Sequence, residues 1–243
     1  MKQTFLFLLF ITLNVSAQKI TIYGIGDSTM ADKVKPNENP EHGWLQVFPK
    51  FLTDDVKVIN KAVNGRSTKS FIDQKRWDSI YKVLKPGNYV FIQFGHNDAK
   101  QNDSTRYTNP HTAYRYNLIR FVKESREKGA IPILFSSISR RNFNEQGVLI
   151  STHGDYPLEA RVVAQEFKVP FIDLEYFTEI LETSFGPEKS KELHLHYEPG
   201  ENPYYPDGKS DDTHLSLKGA TEISKIVIRE LKKWNRDWLK YSK

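Results

Sequence analysis

The sequence contains no cysteine among its 243 residues. Disulfide bonds are therefore excluded, and so are metal sites built on thiolates and a lipid anchor on a cysteine near the N-terminus. Stability has to come from a packed core. The chain is long enough for one, because a single domain of this size buries roughly 70% of the surface that its unfolded chain exposes.

Long apolar runs are almost absent as well, and the one exception is short. Phe5–Leu13 follows a positively charged Lys2 and leads to Val15 and Ala17, small residues of the kind that a signal peptidase reads. The run falls short of the roughly 20 apolar residues that a membrane-spanning helix needs. We therefore expect residues 1–17 to be a signal peptide, and the mature protein to be secreted or periplasmic without inserting into a membrane.

A strong charge of one sign is also missing. The formal net charge is +5, from 35 basic and 30 acidic residues that are well mixed along the chain. No basic patch with interleaved aromatic residues occurs, so binding of nucleic acid is disfavoured. The small positive excess suits an anionic polymer such as a uronic-acid polysaccharide, although an ordinary solvated surface is the simpler explanation.

The chain does contain an alternation of short strand-like segments with amphipathic helical ones across residues 18–243. The predicted strands are rich in β-branched and aromatic residues and bounded by turn or polar residues: Ile20–Gly26, Val56–Asn60, Tyr89–Phe94, Ile131–Ser136 and Val169–Asp173. Helical spacing of apolar residues occurs within 44–52, 112–129, 158–167 and 220–234. The alternation predicts a single α/β domain, with a parallel sheet covered by helices on both faces.

Three of the predicted strands end in polar loops, which cover residues 26–29, 60–67 and 95–98. In open parallel sheets, ligands bind beyond the carboxyl ends of the strands. We therefore expect these three loops to be neighbours in space and to form a site together.

Ser28, in the first of these loops, is a candidate nucleophile. Taken alone, it is better explained as the N-cap of a following helix. Asp211 and His214, however, stand just before the last predicted helix. Their spacing lets a carboxylate orient an imidazole whose other nitrogen then faces a serine. Asp212 is too close in sequence to His214 to fold back easily, and capping of the last helix is the alternative role for either aspartate.

Gly65 and Asn97, in the second and third loops, are candidate donors to an oxyanion. A glycine N–H can approach a substrate oxygen because no side chain intervenes, and an asparagine amide is a neutral donor. With the N–H of Ser28 they would supply three donors. Singly, a turn glycine and a loop-capping asparagine are the simpler explanations, so the order of all these positions along the chain is the more specific signal.

The blocks Gly26–Ser28, Gly65, Gly95–Asp98 and Asp211–His214 resemble the signature blocks of the SGNH (GDSL-type) hydrolases. The residues that flank them resemble those of rhamnogalacturonan acetylesterases, and the resemblance covers essentially the whole chain after residue 17. It implies a flavodoxin-like α/β fold, which is a three-layer α/β/α sandwich on a five-stranded parallel sheet.

The same resemblance implies the roles of the site residues. Ser28 is the nucleophile, His214 is its base, and Asp211 orients that base. Ser28, Gly65 and Asn97 form the oxyanion hole. The reaction implied is the removal of acetyl groups from galacturonate residues of pectic rhamnogalacturonan through an acetyl-enzyme, so the expected partner is an acetylated pectic polysaccharide or oligosaccharide.

Five residues in or next to the polar and aromatic loops are candidates for substrate contacts: His96, His153, Arg66, Tyr204 and Tyr205. Further cations that suit a uronate are Lys69, Lys100 and Arg106. His194, His196 and His214 lack the spacing of a helical zinc motif. No metal and no cofactor is therefore expected.

Other functions stay open. A different esterase of the same superfamily would deacetylate another polysaccharide such as xylan, or act as a lipase or thioesterase, although polar loops do not suit the apolar channel of those last two. A catalytically silent polysaccharide-binding protein is disfavoured, because a binding protein has no need of a complete triad. The default oligomeric state is a monomer.

Overall fold

The computed structural model describes residues 19–243, so the predicted signal peptide lies outside the described residues. The strands there are β1 (Ile20–Gly26), β2 (Val56–Asn60), β3 (Tyr89–Gln93), β4 (Ile131–Phe135), β5 (Phe171–Ile172), β6 (His194–Tyr197) and β7 (Lys209–Leu215). The α-helices are α1 (Trp44–Val47), α2 (Thr68–Asp73), α3 (Arg76–Tyr81), α4 (Arg115–Glu127), α5 (Tyr156–Glu166), α6 (Leu174–Lys189), α7 (Leu217–Trp234) and α8 (Trp238–Tyr241).

Five of the strands form one parallel sheet in the order β2-β1-β3-β4-β5. Separate apolar cores lie on its two faces. The predicted three-layer α/β/α sandwich on a five-stranded parallel sheet is therefore confirmed. In this strand order the direction of winding reverses between β1 and β3, and such a reversal leaves a crevice at the carboxyl ends of those strands.

The alternation of side chains along β1 explains the two cores. Successive residues of a strand point to opposite faces, so Ile22 packs in the core that includes Trp44 of α1. Ile25 packs in the other core, which includes Phe121 of α4. Gly26 ends the strand, and a Cβ there would lie only 2.6 Å from the carbonyl oxygen of Gln93. A glycine is therefore needed where β1 ends beside β3.

The strand predictions hold best for the first two strands of the chain. β1 and β2 have the predicted bounds, and β3 and β4 each end one residue earlier than predicted. The predicted strand Val169–Asp173 pairs only at Phe171–Ile172, which lie beside Leu134 and Phe135 of β4. The helices α2, α3, α6 and α8 were not predicted, and neither was the antiparallel pair β6–β7, which begins within a stretch expected to be loop.

Ser216 caps α7, which is the helix predicted within 220–234, because its hydroxyl oxygen accepts the N–H of Gly219. The alternative role of Asp211 or Asp212 as that cap is therefore wrong. In the part of the chain that the structure describes, no helix is both long enough and apolar enough to span a bilayer.

Candidate active site

Ser28 lies in the turn that follows β1. The carbonyl oxygen of Asp27 accepts hydrogen bonds there from the N–H groups of Met30 and Ala31, at 3.3 and 3.1 Å. This turn does not continue as a helix, since α1 begins only at Trp44, so the explanation of Ser28 as a helix N-cap is wrong. The residue instead lines a cavity of about 530 Å³.

His214 connects Ser28 to Asp211. The Nε2 atom of His214 lies 3.0 Å from the hydroxyl oxygen of Ser28, and Nδ1 lies 2.9 Å from Oδ2 of Asp211. The other oxygen of Asp211 accepts the backbone N–H groups of Thr213 and His214, each at 3.0 Å. The imidazole can therefore take a proton at one nitrogen while the carboxylate holds the other.

An irregular strand brings Asp211 and His214 together. Both lie on β7, which pairs antiparallel with β6. Asp211 is opposite Leu195 and Leu215 is opposite His194, so β7 advances four residues while β6 advances one. A bulge of this kind turns side chains out of their regular alternation. Residues three apart on a strand can then face each other.

Asp211 is a charged partner for the imidazole. Partial burial favours the neutral acid, but hydrogen bonds from the ring and the backbone of His214 hold the pKa of the Asp211 carboxyl well below its usual value. The ammonium of Lys209 lies 3.4 Å from Oδ2 of Asp211 and adds positive charge there. An ionised carboxylate in this position stabilises an imidazolium.

Gly65 and Asn97 line the same cavity as Ser28. Gly65 has a φ of +76°, a conformation that favours glycine. The Nδ2 atom of Asn97 donates to the carbonyl oxygen of Arg66 at 3.2 Å, and its Oδ1 atom accepts from Arg106 at 3.4 Å. The loops after β1, β2 and β3 are therefore neighbours, as their positions at strand ends predict.

Asp98 joins two of these loops from the buried side. Its carboxylate accepts the N–H and the hydroxyl of Thr68, at 3.1 and 2.5 Å, and the hydroxyl of Thr108 at 2.7 Å. Thr68 is the first residue of α2. Burial raises the pKa of Asp98 to about 7, against the opposing effect of the hydrogen bonds from Thr68 and Thr108.

Residues 25–221 match the GDSL-like lipase/acylhydrolase family. Over 208 residues the chain is 42% identical to the rhamnogalacturonan acetylesterase RhgT of Bacillus subtilis. The aligned residues cover 86% of this chain and 88% of that protein. The chain belongs to the GDSL-like lipase/acylhydrolase family.

Two further comparisons agree with this membership. A probable rhamnogalacturonan acetylesterase of Bacillus subtilis, YesY, is 34% identical over 87% of this chain and 92% of that protein. The crystal structure of the Bacillus subtilis protein YxiM has a TM-score of 0.75 at 27% identity, over 88% of this chain and 56% of the other. The predicted membership in the SGNH (GDSL-type) hydrolases is confirmed, and with it the expectation of an ester-hydrolysing enzyme.

In this member of the GDSL-like family, a histidine pair lies beside Ser28 and His214. His96 lines the cavity, and its Nδ1 atom lies 2.9 Å from Nε2 of His153. The Nδ1 atom of His153 lies 3.2 Å from a carboxylate oxygen of Glu175. Burial lowers the pKa of both imidazoles, which favours a neutral pair. His153 therefore supports His96 from behind and does not itself line the cavity.

Arg66 does not line the cavity that contains Ser28. It borders an adjoining groove of about 590 Å³, which shares Gly65 with the cavity and also includes Lys69 and Arg106. Its guanidinium donates to the carbonyl oxygen of Asn64 at 2.7 Å. Its Nε atom also donates to the side-chain oxygen of Gln74 at 3.1 Å. A contact of Arg66 with substrate stays a prediction.

Tyr204 and Tyr205 also lie outside the lining of the cavity. The ring of Tyr205 stacks on Tyr197, with centroids 5.9 Å apart, and contacts Tyr204 edge-on at 5.2 Å. Burial, with the nearby carboxylate of Glu41, raises the pKa of Tyr205 to about 12, so its hydroxyl stays neutral. A role of these rings as a sugar platform stays a prediction.

Arg140 was missed by the sequence analysis. It lines the cavity with Lys100, and its guanidinium donates to the hydroxyl of Thr152 at 2.8 Å. No carboxylate among the described residues forms an ion pair with it. Arg140 follows the end of β4 at Phe135, so the expectation of ligands at carboxyl ends of strands would have found it if applied to this strand too.

The three histidines considered as zinc ligands diverge. His194 bonds to Glu182 at 2.6 Å and His196 bonds to Asp212 at 2.8 Å, whereas His214 faces the serine. Across residues 19–243, no group of three His, Asp or Glu side chains is arranged to hold a metal ion.

Proposed function

We propose that this chain is a carbohydrate O-acetylesterase that removes acetyl groups from pectic rhamnogalacturonan. The observation that supports it most directly is the run of hydrogen bonds from Ser28 through His214 to Asp211, beside a polar cavity. The relatives with 42% and 34% identity are named as a rhamnogalacturonan acetylesterase and a probable one. Their names support acetate as the acyl group and this polymer as the substrate.

The reaction proceeds in two acyl transfers. The hydroxyl oxygen of Ser28 attacks the acetyl carbon while its proton passes to Nε2 of His214. The carbonyl oxygen becomes an oxyanion and accepts hydrogen bonds from the N–H groups of Ser28 and Gly65 and from the amide of Asn97. As the oxyanion collapses, the bond to the sugar oxygen breaks, and His214 gives its proton to that oxygen. Water, deprotonated by the same imidazole, then releases acetate and restores Ser28.

The composition of the cavity supports a small acyl group on a charged sugar. Its lining side chains are all polar or charged, whereas a lipase needs an apolar acyl channel. Lys100, Arg140 and Lys209 line it together with the acidic residues Glu41 and Asp211. The surplus of positive charge attracts the carboxylate of a galacturonate residue. Arg140 and Lys100 are the candidates for that contact, because neither forms an ion pair among the described residues, whereas Lys209 lies 3.4 Å from the carboxylate of Asp211.

Release of acetate tests the substrate. Acetylated rhamnogalacturonan, acetylated xylan and acetylated homogalacturonan are compared at equal acetyl concentration, and the first is expected to react fastest. Faster release of acetate from acetylated xylan would indicate that xylan, and not the pectic polymer, is the substrate. Faster hydrolysis of long-chain p-nitrophenyl esters than of p-nitrophenyl acetate would contradict the proposal of an acetylesterase. Sugar binding without hydrolysis of any ester would indicate the silent binding protein instead.

Ser28→Ala is expected to lower kcat for p-nitrophenyl acetate by roughly a factor of 10⁴ or more, because no other nucleophile is activated by His214. The melting temperature should change little, since only one hydroxyl is removed. Ser79→Ala, at an exposed serine of α3, is the matched control and should keep full activity. Turnover that survives Ser28→Ala would refute the mechanism.

We also propose that residues 1–17 are removed during export, and that residues 18–243 act as a single-domain monomer in the periplasm or outside the cell. The support is the order of a basic start, a short apolar run and small residues before Gln18. Sequencing of the N-terminus of the exported protein would locate the cleavage, and size-exclusion chromatography would give the oligomeric state.

A further inference from the structure

Lys33 is a buried lysine behind the Ser28 turn, only 6% exposed. Its Nζ atom lies 2.6 Å from the carbonyl oxygen of Ser28, 2.8 Å from Oδ1 of Asn64 and 2.7 Å from a carboxylate oxygen of Glu41. An ammonium has three donors, and each has a partner here. Such full pairing is what makes a buried ammonium tolerable.

Two of the partners belong to the loops that supply the oxyanion donors. Ser28 contributes its own backbone N–H. The hydrogen bond from Lys33 to the carbonyl oxygen of Ser28 restricts rotation of the Ser28 backbone. Asn64 precedes Gly65, so the peptide between them carries the N–H of Gly65. That peptide is held twice: Lys33 bonds to the side chain of Asn64, and Arg66 bonds to its carbonyl oxygen at 2.7 Å.

The third partner leads to the strand that carries His214. Glu41 forms an antiparallel bridge with Ser216, and the N–H of His42 donates to the carbonyl oxygen of Leu215 at 2.9 Å. Leu215 is the last residue of β7, next to His214. The ion pair between Lys33 and Glu41 therefore connects the nucleophile turn with the segment beside the base.

We propose that Lys33 is a positioning residue that holds the Ser28 turn and the Asn64–Gly65 peptide at the spacing an oxyanion requires. This inference rests on the proposed function. Oxyanion donors are effective only when they are already placed where the charge develops. The two donors lie on loops after different strands, β1 and β2, and Lys33 bonds to both loops at once.

The proposal predicts a specific kinetic effect. Lys33 does not line the cavity, so its loss should act on the transition state and not on binding of the substrate. A misplacement of about 1 Å can lower a rate by roughly 100-fold. For Lys33→Met, which keeps the length of the side chain, we expect kcat for p-nitrophenyl acetate to fall about 10- to 100-fold, with KM within about twofold.

Two more variants accompany this one. Lys33→Met leaves the carboxylate of Glu41 without its partner, so Lys33→Met/Glu41→Gln removes that charge too, and the same loss of kcat is expected in a protein of restored stability. Lys35→Met is the matched control. Lys35 is exposed and forms an ion pair with the exposed Glu38, so this change should leave kcat and KM unaltered.

Methylboronic acid provides a second readout, because boron forms a tetrahedral adduct with a serine oxygen and thus imitates the transition state. Its inhibition constant should rise by the same factor by which kcat falls, with rates normalised by titration of active sites. If Lys33 only supports folding, its replacement would reduce the number of titratable active sites but leave kcat per site and the inhibition constant unchanged. That outcome would overturn the proposal.

Activity of the unaltered protein distinguishes an error in the role of Lys33 from an error in the proposed function. If the unaltered protein hydrolyses no acetyl ester, the proposed function itself is wrong. If the unaltered protein is active and both Lys33 variants keep its kcat and its affinity for methylboronic acid, only the positioning role is wrong.

Discussion

His214 has both ring nitrogens engaged, one by Ser28 and the other by Asp211. A neutral imidazole has one N–H and one lone pair. Because the carboxylate of Asp211 can only accept, the proton of the ring is on Nδ1 and the lone pair is on Nε2, toward Ser28. The geometry thus selects the tautomer that a base for Ser28 needs.

Asp211→Asn should reverse this preference, because its amide can donate to Nδ1 and place the ring proton on Nε2. We expect kcat for acetyl esters to fall by about 10⁴, the size seen when this tautomer is lost in a serine protease, with little change in the fold. Initial rates with p-nitrophenyl acetate measure the effect.

Asp212→Asn is the control for that change, since the neighbouring carboxylate bonds to Arg141 and His196 and not to His214. Its kcat should stay within about threefold of the unaltered value. Equal losses for the two variants would mean that Asp211 has no special role.

The strands and helices are joined at the site by buried polar side chains, of which Asp98 is the main example. Thr68, at the start of α2, donates to Asp98 in the loop after β3. The folded carboxyl has a pKa of about 7, raised from its usual value of 3.8 mainly by burial. The folded state therefore binds this proton more tightly than the unfolded chain does, and the stability gained from the proton is lost as pH rises from about 4 to 7.

The amide introduced by Asp98→Asn is neutral at every pH, so this variant should not lose stability through ionisation at this position. We expect the free energy of unfolding of the unaltered protein to fall relative to that of Asp98→Asn by up to about 1.4 kcal/mol per pH unit between pH 4 and 7. Urea unfolding at several pH values in that range measures the slope, and a constant difference would contradict the raised pKa.

Asp103→Asn is the control for the slope. Hydrogen bonds from Thr105 and Arg106 lower the pKa of the half-buried Asp103 to about 2, so above about pH 5 its carboxylate is ionised in both the folded and the unfolded chain. Its replacement should shift the curve of stability against pH without changing the slope between about pH 5 and 7.

The molecule as a whole depends on the two apolar cores, and the C-terminal segment completes one of them. Trp238 of α8 is fully buried, with its ring centroid 5.2 Å from that of Tyr89 and 6.2 Å from that of Phe91. The carbonyl oxygen of Tyr241 accepts the N–H of Thr53 at 3.0 Å. The end of the chain is therefore tied to the sheet and its loops.

Trp238→Ala is expected to lower the free energy of unfolding by about 3–5 kcal/mol, because it leaves a large cavity against β3. Trp234→Ala, at the end of α7, should cost less than about 1 kcal/mol, since that ring is 43% exposed. Urea unfolding at constant pH compares the two. Similar losses would show that burial of Trp238 contributes less than its contacts indicate.

Local patterns were enough to predict the sheet. Alternation of apolar residues reports which segments are buried and at what period, so β1 and β2 were placed at their observed bounds. The same logic failed for the length of β5, which is set by how far it pairs with β4. It failed also for β6 and β7, whose polar residues pair in a bulged ladder that no periodicity reports.

The order of motifs along the chain established the family, the fold class and the candidate roles of Ser28 and His214. It did not establish which side chains meet, because Ser28 and His214 are 186 residues apart and meet only through packing of loops from different strands. The bulge that turns Asp211 toward His214, and the ammonium of Lys33 between two loops, likewise exist only in the folded chain. Periodicity reports the burial of neighbours in sequence, whereas contacts between distant loops depend on how every intervening element packs.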